Sequence, residues 1–260
     1  MGWLRKRWGD PRLRLVDLRF PDEYVLAHIP GSGNPDLPHA LSGAARLGEL
    51  LGEVGAGPGI QLVLLDGQAG ILAARLFWML ECYGFHDACL LDGGIDAWKD
   101  SGLPLEGGPR PQPVGDYREP LVFDPGRRAE APELRAAIED PAAVILDVRN
   151  PDEYGRQIQM SGQFRAGHVP GALNLPWDET LLNPRGALKL LQPAWALSRL
   201  LRRRGIVPGR RVYVYCDTGM RSAHTYFVLR SLGYENVKLY EGGWIEWSRL
   251  GFSVRLGPRP

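Results

Sequence analysis

The sequence predicts an α/β fold built twice, as two tandem domains, each a parallel sheet flanked by helices. Two observations carry that expectation. Short β-branched runs alternate with helical stretches, and such alternation implies parallel strands joined by crossover helices that cover both faces of a sheet. The same order of segments also occurs twice along the 260 residues, which marks an internal duplication.

The repeat is legible block by block. RLRLVDLRFPDEY returns as AAVILDVRNPDEY, so Asp17, Arg19, Pro21, Glu23 and Tyr24 match Asp147, Arg149, Pro151, Glu153 and Tyr154. HIPGS from His28 returns as HVPGA from His168, and LVLLD ending at Asp66 matches VYVYC ending at Cys216. ECYGFHDACLLDGGIDAW then matches RSLGYENVKLYEGGWIEW. In the second copy the pattern predicts strands near Val144–Asp147, Ala172–Leu175, Val212–Tyr215 and Val237–Tyr240. It predicts helices over about Pro193–Arg204, Ser222–Leu232 and Trp244–Leu250, the second closed by Gly233. Between the copies, LPLEGGPRPQPVGDYREPLVFDPGRR is broken by glycines and prolines through its first half. The expected boundary is therefore near Val114: a first domain over 1–113, then a linker and second domain over 114–260.

Composition bounds the function. With 44% hydrophobic and 23% charged residues the chain is globular and long enough for two modest cores. A net charge of +1 gives no electrostatic case for nucleic acid or an acidic membrane surface. No apolar run approaches the roughly twenty residues of a membrane-spanning helix. The basic start MGWLRKRWGDPRLRL lacks the apolar core of a secretory signal, so a cytoplasmic location is expected. Three cysteines without ligand spacing argue against a disulfide framework and a zinc site, and Cys82 and Cys89 sit in apolar segments that read as core.

Cys216 differs. A strand, VYVY, ends on it, the loop CDTGMR follows, and a helical pattern begins. That order aims loop amides and the positive end of a helix dipole at the sulfur, which favours a thiolate. The plainer reading is a small buried hydrophobe at a strand end. The loop argues otherwise: Gly219 allows a turn closed to other residues, Thr218 offers a hydroxyl, and Arg221 supplies a fixed cation suited to an oxyanion.

CDTGMRS resembles the active loop of rhodanese-type sulfurtransferases, Cys-x-x-Gly-x-Arg or Cys-x-x-Gly-x-Thr. Related cysteine phosphatases and arsenate reductases use Cys-x5-Arg, one residue longer and wide enough for a phosphate-sized group. The duplication, the aspartate at the nucleophile position of the first half, the HIPG and HVPG segments and the DGG and EGGW turns extend the likeness to nearly the whole chain. The whole resembles the tandem-domain thiosulfate and 3-mercaptopyruvate sulfurtransferases. The resemblance implies a catalytically inactive first domain and a Cys216 persulfide, loaded from a small sulfur donor and discharged to cyanide, a thiol or a protein acceptor. It implies no metal, flavin or nucleotide cofactor. Within it, backbone groups of Asp217, Thr218, Gly219, Met220 and Ser222 surround the terminal sulfur, and Arg221 holds a departing sulfonate.

The remaining candidates follow from position. Arg149, shortly after a strand, is expected at the substrate sulfonate, although Arg19 repeats it in the inactive copy; Asp147 and Asp17 repeat together and read as turn-forming. Arg165 lies in QMSGQFRAGH, a segment absent from the first copy, and is expected to overhang the cleft. His168 and His224 read as structural, and Trp244 as packing beside the loop. Asp217 directly after the nucleophile weakens attraction for a dianion, whereas Arg221 favours an inorganic sulfonate. The expected donor is thiosulfate, with 3-mercaptopyruvate as the alternative, a persulfide carrier as the non-enzymatic one, and a phosphatase as the third.

Overall fold

A computed structural model describes residues 1–35, 44–109, 117–155 and 164–260; Val114 lies outside them. The chain forms two compact units, one of Met1–Asp124 with Arg185–Leu190, the other of Pro125–Pro184 with Leu191–Pro260. The first unit thus runs further than expected. Tyr117 and Leu121 pack on its core, and Asp124 donates its N–H to the Cys82 carbonyl at 2.7 Å. Leu121 is thereby held against apolar surface, while Val122 and Phe123 beside it stay exposed.

In the first unit, β1 (Leu13–Asp17), β2 (Ser32–Gly33), β3 (Gln61–Leu65) and β4 (Ala88–Leu90) form a parallel sheet of order β2-β1-β3-β4. Leu62 and Leu64 of β3 join Leu76 and Leu80 of helix Ile71–Cys82 on one face. Val63 and Leu65 join Ile95 and Trp98 of helix Gly94–Asp100 on the other. The continuous run LVLL is what a parallel strand buried on both faces requires.

The second unit repeats this plan. Its strands β5 (Arg128–Ala129), β6 (Ala143–Asp147), β7 (Leu173–Asn174), β8 (Arg211–Tyr215) and β9 (Val237–Tyr240) run parallel in the order β5-β9-β8-β6-β7. Helices Ala194–Arg203, Met220–Ser231 and Gly243–Arg249 connect or follow them. Tyr213 and Tyr215 of β8 face Trp244 and Trp247, while the alternate Val212 and Val214 are fully buried, each contributing about 1.5–3 kcal/mol. The helix after β8 opens at Met220, two residues before the expected start, because Gly219 at φ 86° completes the turn by itself. The strand expected over 172–175 shortens to β7. Two-residue β5 carries too little pattern to be foreseen. Among the described residues no helix is long and apolar enough to cross a membrane.

Register positions the candidate site. Asp147 pairs with Tyr215 at the carboxyl ends of β6 and β8, and Val148 donates its N–H to the Tyr215 carbonyl at 3.0 Å. Arg149 and the loop after Cys216 therefore leave the sheet side by side, where ligands of open parallel sheets bind.

Candidate active site

β8 ends at Tyr215, and the chain turns through Cys216, Asp217, Thr218 and Gly219 into the helix Met220–Ser231. Cys216 is 1% exposed. Thr218 is exposed, and Asp217, Met220 and Arg221 are half-buried, so these residues form the accessible rim. The Ser222 hydroxyl, from the first turn of the helix, donates to Cys216 Sγ at 3.5 Å. Trp244 N–H donates to the Cys216 carbonyl at 2.7 Å, which pins the strand end to the first turn of helix Gly243–Arg249. The glycine of the EGGW turn makes this possible. A Cβ on Gly243, at φ +59°, would collide with the Asp217 carbonyl and lie 2.6 Å from the Cys216 carbonyl oxygen.

A network of charges surrounds the loop. Arg221 donates to both carboxylate oxygens of Glu153, Nη1 to Oε2 at 2.7 Å and Nη2 to Oε1 at 2.9 Å. Its Nη2 also donates to Asp217 Oδ2 at 2.8 Å. Burial alone would raise the Glu153 carboxyl, but hydrogen bonds from Arg221 and the Asn150 N–H hold it down to about 2. Burial likewise works against the Arg221 cation, and Glu153, Cys216 and Asp217 more than compensate, keeping it above its ordinary value.

Arg149 is fully buried and forks onto Asp147 through Nε at 3.0 and 3.1 Å and Nη2 at 2.6 Å, with Nη2 also donating to the Gly167 carbonyl at 2.8 Å. Its Nη1 lies 3.7 Å from Asp217 Oδ1, and its guanidinium carbon 4.7 Å from the Trp244 ring centroid. The first copy has the same fork: Arg19 meets Asp17 at 3.0, 3.1 and 2.6 Å. Arg149 is thus a buried support of the strand-end turn that also touches the loop through Asp217.

The first copy shows what such a loop does with an anion. Asp66 Oδ1 accepts the N–H groups of Gln68 and Gly70, both at 2.8 Å; Oδ2 accepts those of Leu72 at 2.8 Å and Ala73 at 3.0 Å. Four donors on two oxygens are a cradle for an ionised carboxylate. Burial pushes this carboxyl up against the pull of the amides. The two loops differ in length. Three residues separate Asp66 from Gly70, the left-handed glycine that opens the helix, whereas two separate Cys216 from its counterpart Gly219. Ala69 at φ 60° accommodates the extra residue.

The fold therefore gathers Cys216, Asp217, Thr218, Gly219, Met220, Arg221, Ser222 and Arg149 at one sheet end. Arg165 is directed elsewhere. Its guanidinium donates to the Ser248 carbonyl at 3.3 Å and to the Phe252 carbonyl, so it ties its segment to the helix Gly243–Arg249 and the turn beyond instead of reaching over the cleft. Its own carbonyl accepts the Trp244 indole N–H at 2.9 Å. His168 stacks on Tyr154 at 3.7 Å and pairs Nδ1 with the Tyr154 carbonyl at 2.9 Å, as His28 does with Tyr24. His224 is buried edge-to-face against Trp177. Glu153 is the residue the sequence reading left out of the site. A usable signal was present: the carboxylate recurs as Glu23, while its arginine partner occurs only in the copy that has the cysteine.

A duplicated α/β chain, its parallel sheets flanked by helices and a cysteine loop at one strand end, defines a class. The model of the rhodanese-like domain matches residues 1–101 and again 130–250, and the chain belongs to the rhodanese family of sulfurtransferases. Among known proteins it is 35% identical over 254 residues to the thiosulfate sulfurtransferase of Pseudomonas aeruginosa, covering 94% of this chain and 91% of that one. It is 30% identical over 269 residues to the sulfur carrier protein TtuD of Thermus thermophilus, covering 95% and 92%. The crystal structure of SseA from Escherichia coli, described as a 3-mercaptopyruvate sulfotransferase of rhodanese fold, superposes with a TM-score of 0.77 at 27% identity, covering 94% and 97%.

Proposed function

We propose that the protein transfers sulfane sulfur from thiosulfate to a thiophilic acceptor through a persulfide on Cys216. The observation that carries this reading is the anion cradle: the first copy holds a carboxylate on four loop amides, and the second places a cysteine sulfur at the same strand end with the Ser222 hydroxyl on it. Cys216 thiolate attacks the outer sulfur of thiosulfate. A bond forms between Sγ and that sulfur, the sulfur–sulfur bond of the donor breaks, and its electron pair leaves on sulfite. The product persulfide is an anion, and preorganised amide dipoles at the helix start stabilise it without a general base. An acceptor such as cyanide then takes the terminal sulfur and returns the thiolate. Arg221 holds the sulfonate of the donor. The name of the Pseudomonas relative supports the donor class.

A second reading within the same chemistry is 3-mercaptopyruvate as donor. Glu153 and Asp217 both lie on Arg221, which lowers the attraction for a dianion. A protein acceptor is in keeping with the carrier named among the relatives. Mass spectrometry of the intact protein after thiosulfate treatment tests the proposal. The expected result is a gain of one sulfur atom that disappears in Cys216→Ser; no gain in the native protein refutes it. A kcat/KM strongly favouring mercaptopyruvate would replace the donor and keep the mechanism.

A further inference from the structure

Arg221 does not stand open to a donor. Both its terminal nitrogens are bound to Glu153, at 2.7 and 2.9 Å, in the fork that two oxygens of a sulfonate would otherwise occupy. We propose that Glu153 is a built-in competitor for the donor: thiosulfate takes Arg221 only by displacing this carboxylate, so Glu153 sets the donor concentration at which the enzyme loads. The inference rests on the thiosulfate reading and deepens it.

Three features make the exchange workable. Glu153 Oε2 also accepts the Asn150 N–H at 2.8 Å, so a carboxylate released from Arg221 keeps a partner at the start of its own helix. In the first copy Glu23 makes the same bond to the Phe20 N–H at 3.2 Å, with no arginine at the place of Arg221, so the cap bond stands without the ion pair. Both partners are within reach of solvent, with side chains 22% and 11% exposed for Arg221 and Glu153. The local balance also opposes an incoming dianion. Arg149 and Arg221 are answered by Asp147, Asp217 and Glu153, a net charge of −1 over these five side chains.

Glu153 acts through Arg221 and is therefore a positioning residue, whose signature is confined to the donor half-reaction. Persulfide formation is followed by intact mass at quenched times over a series of thiosulfate concentrations, and discharge of preloaded persulfide by cyanide is followed separately. Glu153→Gln keeps the acceptor for Asn150 and loses the charge. It should lower the half-saturating thiosulfate concentration about tenfold and leave discharge unchanged. Glu153→Asp, which keeps the charge, should lie closer to the native value than to the Gln variant. An unchanged or raised half-saturation in Glu153→Gln, with persulfide still forming, overturns the inference and leaves the thiosulfate reading standing. Absence of sulfur uptake by the native protein overturns both. Should Glu153→Gln fail to fold, the native enzyme decides: its kcat/KM for thiosulfate should rise as salt is raised from about 0.01 to about 0.15 M, because screening weakens a net negative rim, and a fall overturns the proposal.

Discussion

The cradle around Asp66 offers a direct test of how much these loops depend on an anion. In Asp66→Asn the side chain keeps its shape, but one oxygen becomes an NH2 group facing two N–H donors. Either the pair from Gln68 and Gly70 or the pair from Leu72 and Ala73 then loses its acceptor. Asp66 is 1% exposed, so water does not replace the lost bonds at the surface. Each hydrogen bond to a charged group contributes about 1.5–3 kcal/mol, which makes the expected loss about 3–6 kcal/mol. Urea unfolding of the full chain, followed by tryptophan fluorescence with Trp78 and Trp98 reporting the first unit, measures it as a lower midpoint for that unit's transition. A loss below about 1 kcal/mol would show that the amides do not need the charge, and would remove the principal support for a persulfide cradle in the second copy.

Other outcomes follow from the same geometry. Arg149→Met leaves Asp147 buried and unpaired and should destabilise the second unit by about 3–5 kcal/mol in the same assay. Gly243→Ala drives a methyl group into the Cys216 and Asp217 carbonyls, so kcat should fall roughly a hundredfold through misplacement of the sulfur, measured by turnover with thiosulfate and cyanide. Arg221→Ala should weaken the donor half-reaction by a few kcal/mol and spare discharge by cyanide. Glu153 titrates at about 2 in the folded chain against an ordinary 4.5, so the folded state binds fewer protons between those values. Its contribution is complete above about pH 4.5 and is lost as pH falls toward 2, so the acid limb of Tm against pH should be shallower in Glu153→Gln.

The repeat, the parallel sheets and the position of Cys216 at a strand end were legible because each leaves a pattern in the sequence. LVLL and VYVY must be buried on both faces, and the second glycine of DGG and of EGG, Gly94 and Gly243, must lie against a backbone carbonyl. Side-chain direction was not legible. Arg165 and Arg221 are both arginines expected at the cleft, yet one spends its donors on the Ser248 and Phe252 carbonyls and the other on Glu153. Those partners lie 68 to 87 residues away, a separation no local periodicity encodes. Glu153 escaped notice for the same reason: along the chain it looks like a helix-capping glutamate, which it also is.

The added residue before Gly70 means that the first copy is more than one substitution away from the Cys216 loop of the second. A cysteine placed at position 66 would sit in a loop lengthened by Ala69, at the step in size that separates a seat for one sulfur from a seat for a tetrahedral anion. Restoring chemistry there would take a deletion as well as a new thiol, and the deletion alone would strand the carboxylate that now fills the space. The two changes each harm the fold singly, so the longer loop and the carboxylate it holds keep each other in place.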